Sequence, residues 1–418
     1  MKRLRANAIG LSLVMASALV APVAQAGTFT CPTVSATGVP SKKLEASANW
    51  SNCILTGMAA SSLNLSSAQF VASNLQSAAL ARADLSKADL SYSALISTNM
   101  TSANLSHAMV QSATLMKTNL IGANLAHASL AWSTLEGANL NNADLSNATL
   151  YSVASASISG TPKALPTGWV LRGGFLLGPS ANLTQRNLAG VNIAGATLNA
   201  ATLAGVRSGH IAGVPKSLPP HWVIKSGFLL GPGADLSRAD ITGVDWATVD
   251  LSRVTSSKVA GTPKSLPRDW KLRGGYLVGP TAQLENAVLS RADLSDLNLS
   301  GANLGGANLV GVNLTGTNLA HANLKGISSA NIIGTPSQLP PGWVLAKGFL
   351  VGPDANLVGN SDFEGVDLSG VDLSKANLSG DVIVNGTPAK LPASYQNMGG
   401  TLVGPGRLIE GIDLSDSD

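Results

Sequence analysis

One interval dominates this chain. Counting in fives from Leu55 to Leu150 visits twenty positions, and nineteen of them are large apolar residues, with Ala60 the exception. Two residues before each of the eighteen centres from Leu65 onward stand twelve Ala and five Ser or Thr. The residue between is mostly Asn or Asp, as at Asp84, Asp89, Asn99, Asn104, Asn119, Asn124, Asn139 and Asp144. A period of five matches neither an α-helix, at 3.6 residues per turn, nor the two-residue alternation of a long strand. It also misses the heptad.

Five residues suffice for a short strand and a corner, and four such units close a square coil of twenty. The large apolar residue then fills the interior, the small residue also faces inward, and Asn or Asp points out. Successive coils stack by parallel β hydrogen bonding at roughly 4.8 Å, so each coil satisfies the backbone of its neighbours.

These residues resemble the pentapeptide-repeat family, whose motif reads A(D/N)Lxx. Ala83-Asp84-Leu85-Ser86-Lys87-Ala88-Asp89-Leu90 matches it directly, as does Ala302-Asn303-Leu304-Gly305-Gly306-Ala307-Asn308-Leu309. The resemblance covers most of residues 55–414. It implies an all-β, right-handed quadrilateral β-helix, expected here at some 11 coils and on the order of 50 Å long. It says little about function, because the family's members are functionally diverse.

A second unit, of twenty residues, interrupts the pentads at 160–179, 213–232, 261–280, 334–353 and 386–405, in the frame G-x-P-x-x-L-P-x-x-W-x-x-x-x-G-F-L-x-G-P. Its first half, with two prolines, reads as extended or turning. Its second half reads as a β-hairpin. In the first copy Trp169-Val170-Leu171 and Phe175-Leu176-Leu177 form the arms, and Arg172-Gly173-Gly174 forms a three-residue loop with Gly at the left-handed position. The fifth copy, with Tyr395 for Trp and Thr401 for the aromatic, is eroded, as repeats closing a solenoid end often are. Whether the hairpins line one face depends on how much of a coil each insert replaces, which the sequence alone leaves open.

The ends carry their own signals. Lys2, Arg3 and Arg5, the apolar run Ile9–Val20 and Ala24-Gln25-Ala26 read as a bacterial signal peptide over residues 1–26, cleaved before Gly27. The run is too short for a permanent anchor, and no later stretch spans a bilayer. The mature chain is expected to be secreted, extracellular or at the cell surface. In that oxidising setting Cys31 and Cys53 are expected to form a disulfide in an N-terminal cap, residues 27–54. Pentads then run over 55–155, insert-bearing coils over 156–405, and a C-terminal end over 406–418.

Charge excludes some functions. The full chain is net +4, and losing the three cations of the signal leaves +1. That balance argues against nucleic-acid binding by bulk charge and against mimicry of the DNA polyanion by a topoisomerase inhibitor, a role known among cytosolic members of the family. The distribution is uneven. The five inserts hold ten Lys or Arg (Lys163, Arg172, Lys216, Lys225, Lys264, Arg268, Lys271, Arg273, Lys347, Lys390) against Asp269 alone. The hairpins are thus cationic modules on an anionic rod, suited to an envelope polymer or a protein partner.

No catalytic, cofactor-binding or metal-binding pattern stands out, and no enzyme activity or cofactor is expected. His107 and His127, twenty residues apart, are expected to stack about 5 Å apart on successive coils, without a third metal ligand in sight. Trp169, Trp222, Trp270 and Trp343 recur in the inserts. They read either as buried hairpin anchors or as an aromatic row contacting a glycan. The sequence therefore points to a non-enzymatic structural scaffold, with a glycan- or protein-binding module using the hairpin Trp and Lys/Arg residues as the alternative.

Overall fold

The computed structural model describes residues 30–356 without interruption and segments of the chain between 366 and 403. The predicted signal peptide, the first residues of the predicted cap and the 406–418 end lie outside the described residues. So do many residues of the fifth insert.

The five-residue period becomes a four-sided coil. Away from the inserts, a pentad pairs in parallel with the pentad twenty residues on: Asn64 with Asp84, Asp84 with Asn104, Asn104 with Asn124. The Leu55 N–H donates to the Asn74 carbonyl at 2.7 Å, and the Asn74 N–H donates back to the Cys53 carbonyl at 2.9 Å. Four faces result. The first carries Gln69, Asp89, Met109, Ser129 and Thr149 outward; the second Asn74, Ala94, Thr114, Thr134 and Ala154; the third Ala79, Asn99, Asn119, Asn139 and Ser159; the fourth Asp84, Asn104, Asn124, Asp144 and Ala164. Centres such as Leu85, Leu105, Leu120 and Leu140 are fully buried, as are small-slot residues such as Ala88 and Ala138.

Deviations from the motif show how little space the interior has. Ala60 takes a large slot, and Met58, two residues earlier, fills the volume from the small slot; both are buried. Leu63 stands in another small slot and is instead 37% exposed. Where the small residue is Ser or Thr, its hydroxyl is spent on the backbone: Ser93 Oγ donates to the Leu90 carbonyl, and Thr98 Oγ1 to the Leu75 carbonyl of the coil before. This removes the cost of burying a free hydroxyl.

The Asn/Asp position does more than face solvent. Its Oδ1 accepts the N–H two residues on, an Asx turn that builds the corner, as from Asn64 to Ser66 and from Asp84 to Ser86. The amide of one coil can also donate to the side chain below, as Asn104 does to Asp84 and Asn124 to Asn104. The following corner residue adopts a left-handed conformation, with φ near 55–60° at Ser67, Lys87 and His107.

Each of the first four inserts is partly coil. Pairing across it changes from twenty residues to twenty-eight: Ala154 with Asn182, Arg207 with Asp235, Thr255 with Gln283. Twelve of the twenty insert residues therefore trace the ordinary path, and only eight are additional. Third-face positions recur thirteen times from Ala59 to Asn323, so the rod exceeds the expected 11 coils and reaches on the order of 60 Å. The shorter expectation came from leaving whole inserts out of the helix.

The added residues form two-stranded antiparallel hairpins: β1 (Val170–Arg172) with β2 (Phe175–Leu177), β3 (Val223–Lys225) with β4 (Phe228–Leu230), β5 (Lys271–Arg273) with β6 (Tyr276–Val278), and β7 (Val344–Ala346) with β8 (Phe349–Val351). Near the C-terminal end, β9 (Val366–Asp367), β10 (Val382–Asn385), β11 (Gln396–Met398) and β12 (Thr401–Val403) join in one sheet of order β11-β12-β10-β9. The fifth hairpin thus becomes part of a larger sheet, unlike the other four. At the opposite end, Cys31 and Cys53 form a disulfide with Cα atoms 5.4 Å apart, tying the entry segment to the first coils.

Two predictions follow from the coil. Leu120→Ala should lower unfolding free energy by about 2–5 kcal/mol in chemical denaturation, because the tube cannot collapse onto the void. Acid should also destabilise the fold. The carboxyls of Asp240 and Asp293 are held below the usual range, chiefly by the hydroxyls of Thr242 and Ser295, and that of Asp245 by the Ser265 hydroxyl. Asp144 is lowered chiefly by the Ser146 N–H. A carboxyl depressed in the fold stabilises it above the unfolded value near ~3.9 and loses that contribution as pH falls through the folded value. Melting temperature should therefore fall as pH drops below about 4, and less so in Asp240→Asn/Asp293→Asn.

Candidate functional site

The hairpins are the feature that distinguishes this rod from plain pentads, and four shared devices fix them. The first is the turn. Arg172 pairs with Phe175, so the loop is the two residues Gly173 and Gly174, not the three expected. Both have positive φ, 55° and 79°, as do Ser226 and Gly227, Gly274 and Gly275, and Lys347 and Gly348. Positive φ at both positions is the type I′ pattern, whose twist matches the flanking strands.

The second is the attachment of the tip. The carbonyl of the second turn residue accepts a coil N–H: Ile158 to Gly174, Ile211 to Gly227, Val259 to Gly275 and Ile332 to Gly348, at 2.8–3.0 Å. The third is a buried serine. Five residues before each of the first four inserts the large slot holds Ser155, Ser208, Ser256 or Ser329 in place of Leu. Each hydroxyl oxygen accepts the N–H at the middle of the returning strand, from Leu176, Leu229, Leu277 and Leu350 respectively, at 2.9–3.0 Å. Sequence reading missed these serines. Their signal was present, as a Ser breaking the leucine count five residues ahead of the first four G-x-P motifs.

The fourth is the tryptophan. The N–H of Trp169, Trp222, Trp270 and Trp343 donates to the carbonyl of the second proline, three residues earlier. Each indole lies on the glycine of the closing Gly-Pro. A Cβ on Gly178, Gly231, Gly279 or Gly352 would stand only 2.0–2.5 Å from the ring. Trp169, Trp270 and Trp343 are buried and Trp222 is half-buried. The structure places these rings as packing between hairpin and coil, and they do not form an open aromatic row.

The cations stand around them. Between the proline segment and the outgoing strand runs a groove of about 460 Å³ at the first insert, lined by Lys163, Trp169 and Arg172, and one of about 410 Å³ at the third, lined by Lys264, Arg268, Trp270, Lys271 and Arg273. Lys163 Nζ is 3.1 Å from Asp144 Oδ2, and Arg273 Nε donates to the Asp293 carbonyl. The hairpins do not share a face. The first replaces a first-face strand, between Ala164 and Asn182. The second and third replace second-face strands, after Ser217 and Ser265. The fourth replaces a third-face strand, after Gln338.

The two histidines behave as stacking demands, with His107 and His127 centroids 4.9 Å apart and planes inclined by 6°. Among the described residues no group of three metal-ligating side chains gathers, and no helix is long and apolar enough to cross a membrane.

Ser256→Ala should leave the Leu277 N–H buried and unpaired, costing about 1–3 kcal/mol. Hydrogen exchange should show the loss first at residues 271–278, with the pentads of 64–144 protected as before.

Comparison with known proteins turns on the same repeat. The model of the family described as pentapeptide repeats matches in eight copies, over residues 78–115, 113–150, 282–306, 298–328 and 355–380. No curated protein matches. Among solved structures, HetL, a pentapeptide repeat protein involved in heterocyst differentiation regulation from the cyanobacterium Nostoc sp. strain PCC 7120, is 24% identical over 70% of this chain and 90% of its own, with a TM-score of 0.26. A pentapeptide repeat protein from the Arabidopsis thaliana thylakoid lumen is 26% identical over 24% of this chain and 68% of its own, with a TM-score of 0.18. Full-length QnrB1, a plasmid-mediated fluoroquinolone resistance protein, is 14% identical over 63% and 78%, with a TM-score of 0.19. Superpositions this loose add nothing beyond the repeat itself. The eight matched copies and the four-sided coil built on them show that the chain carries pentapeptide repeats wound into a quadrilateral β-helix.

Proposed function

We propose that the protein is a non-enzymatic scaffold, secreted or held at the cell surface, that presents cationic hairpins from a rigid rod to an acidic envelope polymer or protein. The observation that carries this reading is the anchoring of the hairpins. Four copies of one insert are fixed to the coil by the same serine hydroxyl, the same turn carbonyl and the same indole–glycine contact. A loop of no consequence does not need such repeated fixing. The hairpins point from three successive faces, which suits a meshwork or several partners at once.

Use of the hairpins as a binding module for glycan or protein is the second reading, favoured by the groove of the third insert. Burial of the tryptophans moves its weight to Lys264, Arg268, Lys271 and Arg273. Mimicry of DNA fits less well, since a near-neutral rod studded with cations offers no continuous negative surface.

Fractionation of the native cell tests the scaffold reading. The full chain should appear in the envelope or medium, and Lys264→Gln/Arg268→Gln/Lys271→Gln/Arg273→Gln should cut its retention on isolated envelope at least fivefold. A cytoplasmic pool of full-length protein, or retention indifferent to the four substitutions, would count against it.

A further inference from the structure

The hairpin tryptophans are packed, but three other aromatic residues are not. Tyr92, Trp132 and Tyr151 are 68%, 57% and 50% exposed, and all three stand on the corner between the first and second faces. Tyr92 and Trp132 hold the same turn position forty residues apart, which is two coils or roughly 10 Å. Trp132 donates its N–H to the Tyr151 carbonyl of the next coil, and the two rings meet at 5.4 Å with planes inclined by 75°.

Folding gives no reason for this. Tyr92 and Trp132 have φ of 60° and 59°, a region that bulky side chains rarely occupy. Ala72, Ser112 and Ser152 fill the same position in the neighbouring coils. Two large aromatics thus sit in a strained backbone position without gaining burial. Clustered exposed apolar groups mark interaction sites.

The surface beside them narrows the partner. From Ala94 to Ala154 the second face shows Ala94, Thr114, Thr134 and Ala154, with no charge. The first face, on the other side of the corner, shows Asp89, Met109, Ser129 and Thr149, with Asp89 its one charge over these coils, and the fourth face carries Asp84 and Asp144. Ile96 and Met116 line part of the far corner of the second face, where Lys117 and Glu136 are the charged residues. An uncharged strip selects against a polyanion. Its extent is also telling. Four coils by one short strand amount to a few hundred Å², well under the ~800 Å² per partner of a stable protein interface.

We propose that this corner binds a neutral polysaccharide laid along the rod. The C–H face of a sugar ring packs on Trp132 and on the tyrosines, and the threonine hydroxyls meet its hydroxyls. The site is separate from the hairpin cations, and the proposal stands or falls independently of the scaffold reading.

The test uses the full chain with cellohexaose and chitohexaose as probes, followed by calorimetry and tryptophan fluorescence at low and high salt. One of the two should bind with little salt dependence. Tyr92→Asn/Trp132→Asn/Tyr151→Ser should weaken binding at least tenfold. Its melting temperature should be unchanged or higher, since Asn tolerates the left-handed corner. Binding of neither probe, equal binding by the triple variant, or binding that collapses with salt would overturn the proposal. So would a wild-type dimer in sedimentation equilibrium that the triple variant lacks, because the corner would then be a contact between two copies.

Discussion

The structure depends on an interior only wide enough for one large and one small side chain per pentad. Leu at the centre and Ala two residues before it fill that space, and the backbone between them has nowhere to pair except with the coils above and below. The exchange of Met58 and Ala60 shows that summed volume is what the tube requires. The exposed Leu63 shows what happens when it is exceeded. Stability accordingly accumulates coil by coil, through contacts between nearest neighbours.

The inserts obey the same constraint. A hairpin returning toward the tube brings a strand N–H into an apolar space, where an unpaired donor is expensive. Exchanging one inward Leu for Ser supplies an acceptor and frees volume in the same step. The tryptophan then seals the junction against a glycine that no other residue could replace without a clash. Over the first insert, Arg186 also reaches back to Glu136, with Nη1 3.5 Å from Oε2 across the interruption. The hairpin is thereby a built extension of the rod and not a loose loop.

Much of this was legible in the sequence because it is periodic. The Leu count gave the inward face, twenty-residue spacing gave the stacking of His107 on His127, and the two cysteines gave the disulfide. The turn was misread by one residue, because Arg172-Gly173-Gly174 satisfies the rule for either loop length. Pairing of Arg172 with Phe175 depends on strand register, which the turn residues do not fix by themselves. The coil number was misread because the inserts are spelled unlike pentads although twelve of their residues follow the pentad path. The serine acceptors were hidden for a different reason: a single Ser in a slot usually held by Leu looks like noise until its partner strand is in place. The corner aromatics were hidden because Tyr92 and Trp132 fall in the variable positions of the motif, where nothing in the pattern separates a decorated surface from an ordinary one.

The eight-residue offset has a geometric consequence. With those residues set aside, the starts of the first two inserts are separated by nine pentads, the second and third by eight, and the third and fourth by thirteen. Division by four leaves remainders of one, none and one, and those remainders are the quarter-turns between successive hairpins. The molecule therefore works like a dial: gaining or losing a single pentad leaves the tube continuous yet swings everything downstream by ninety degrees. Duplication in units of five gives such a lineage a way to re-aim its appendages without inventing a new joint.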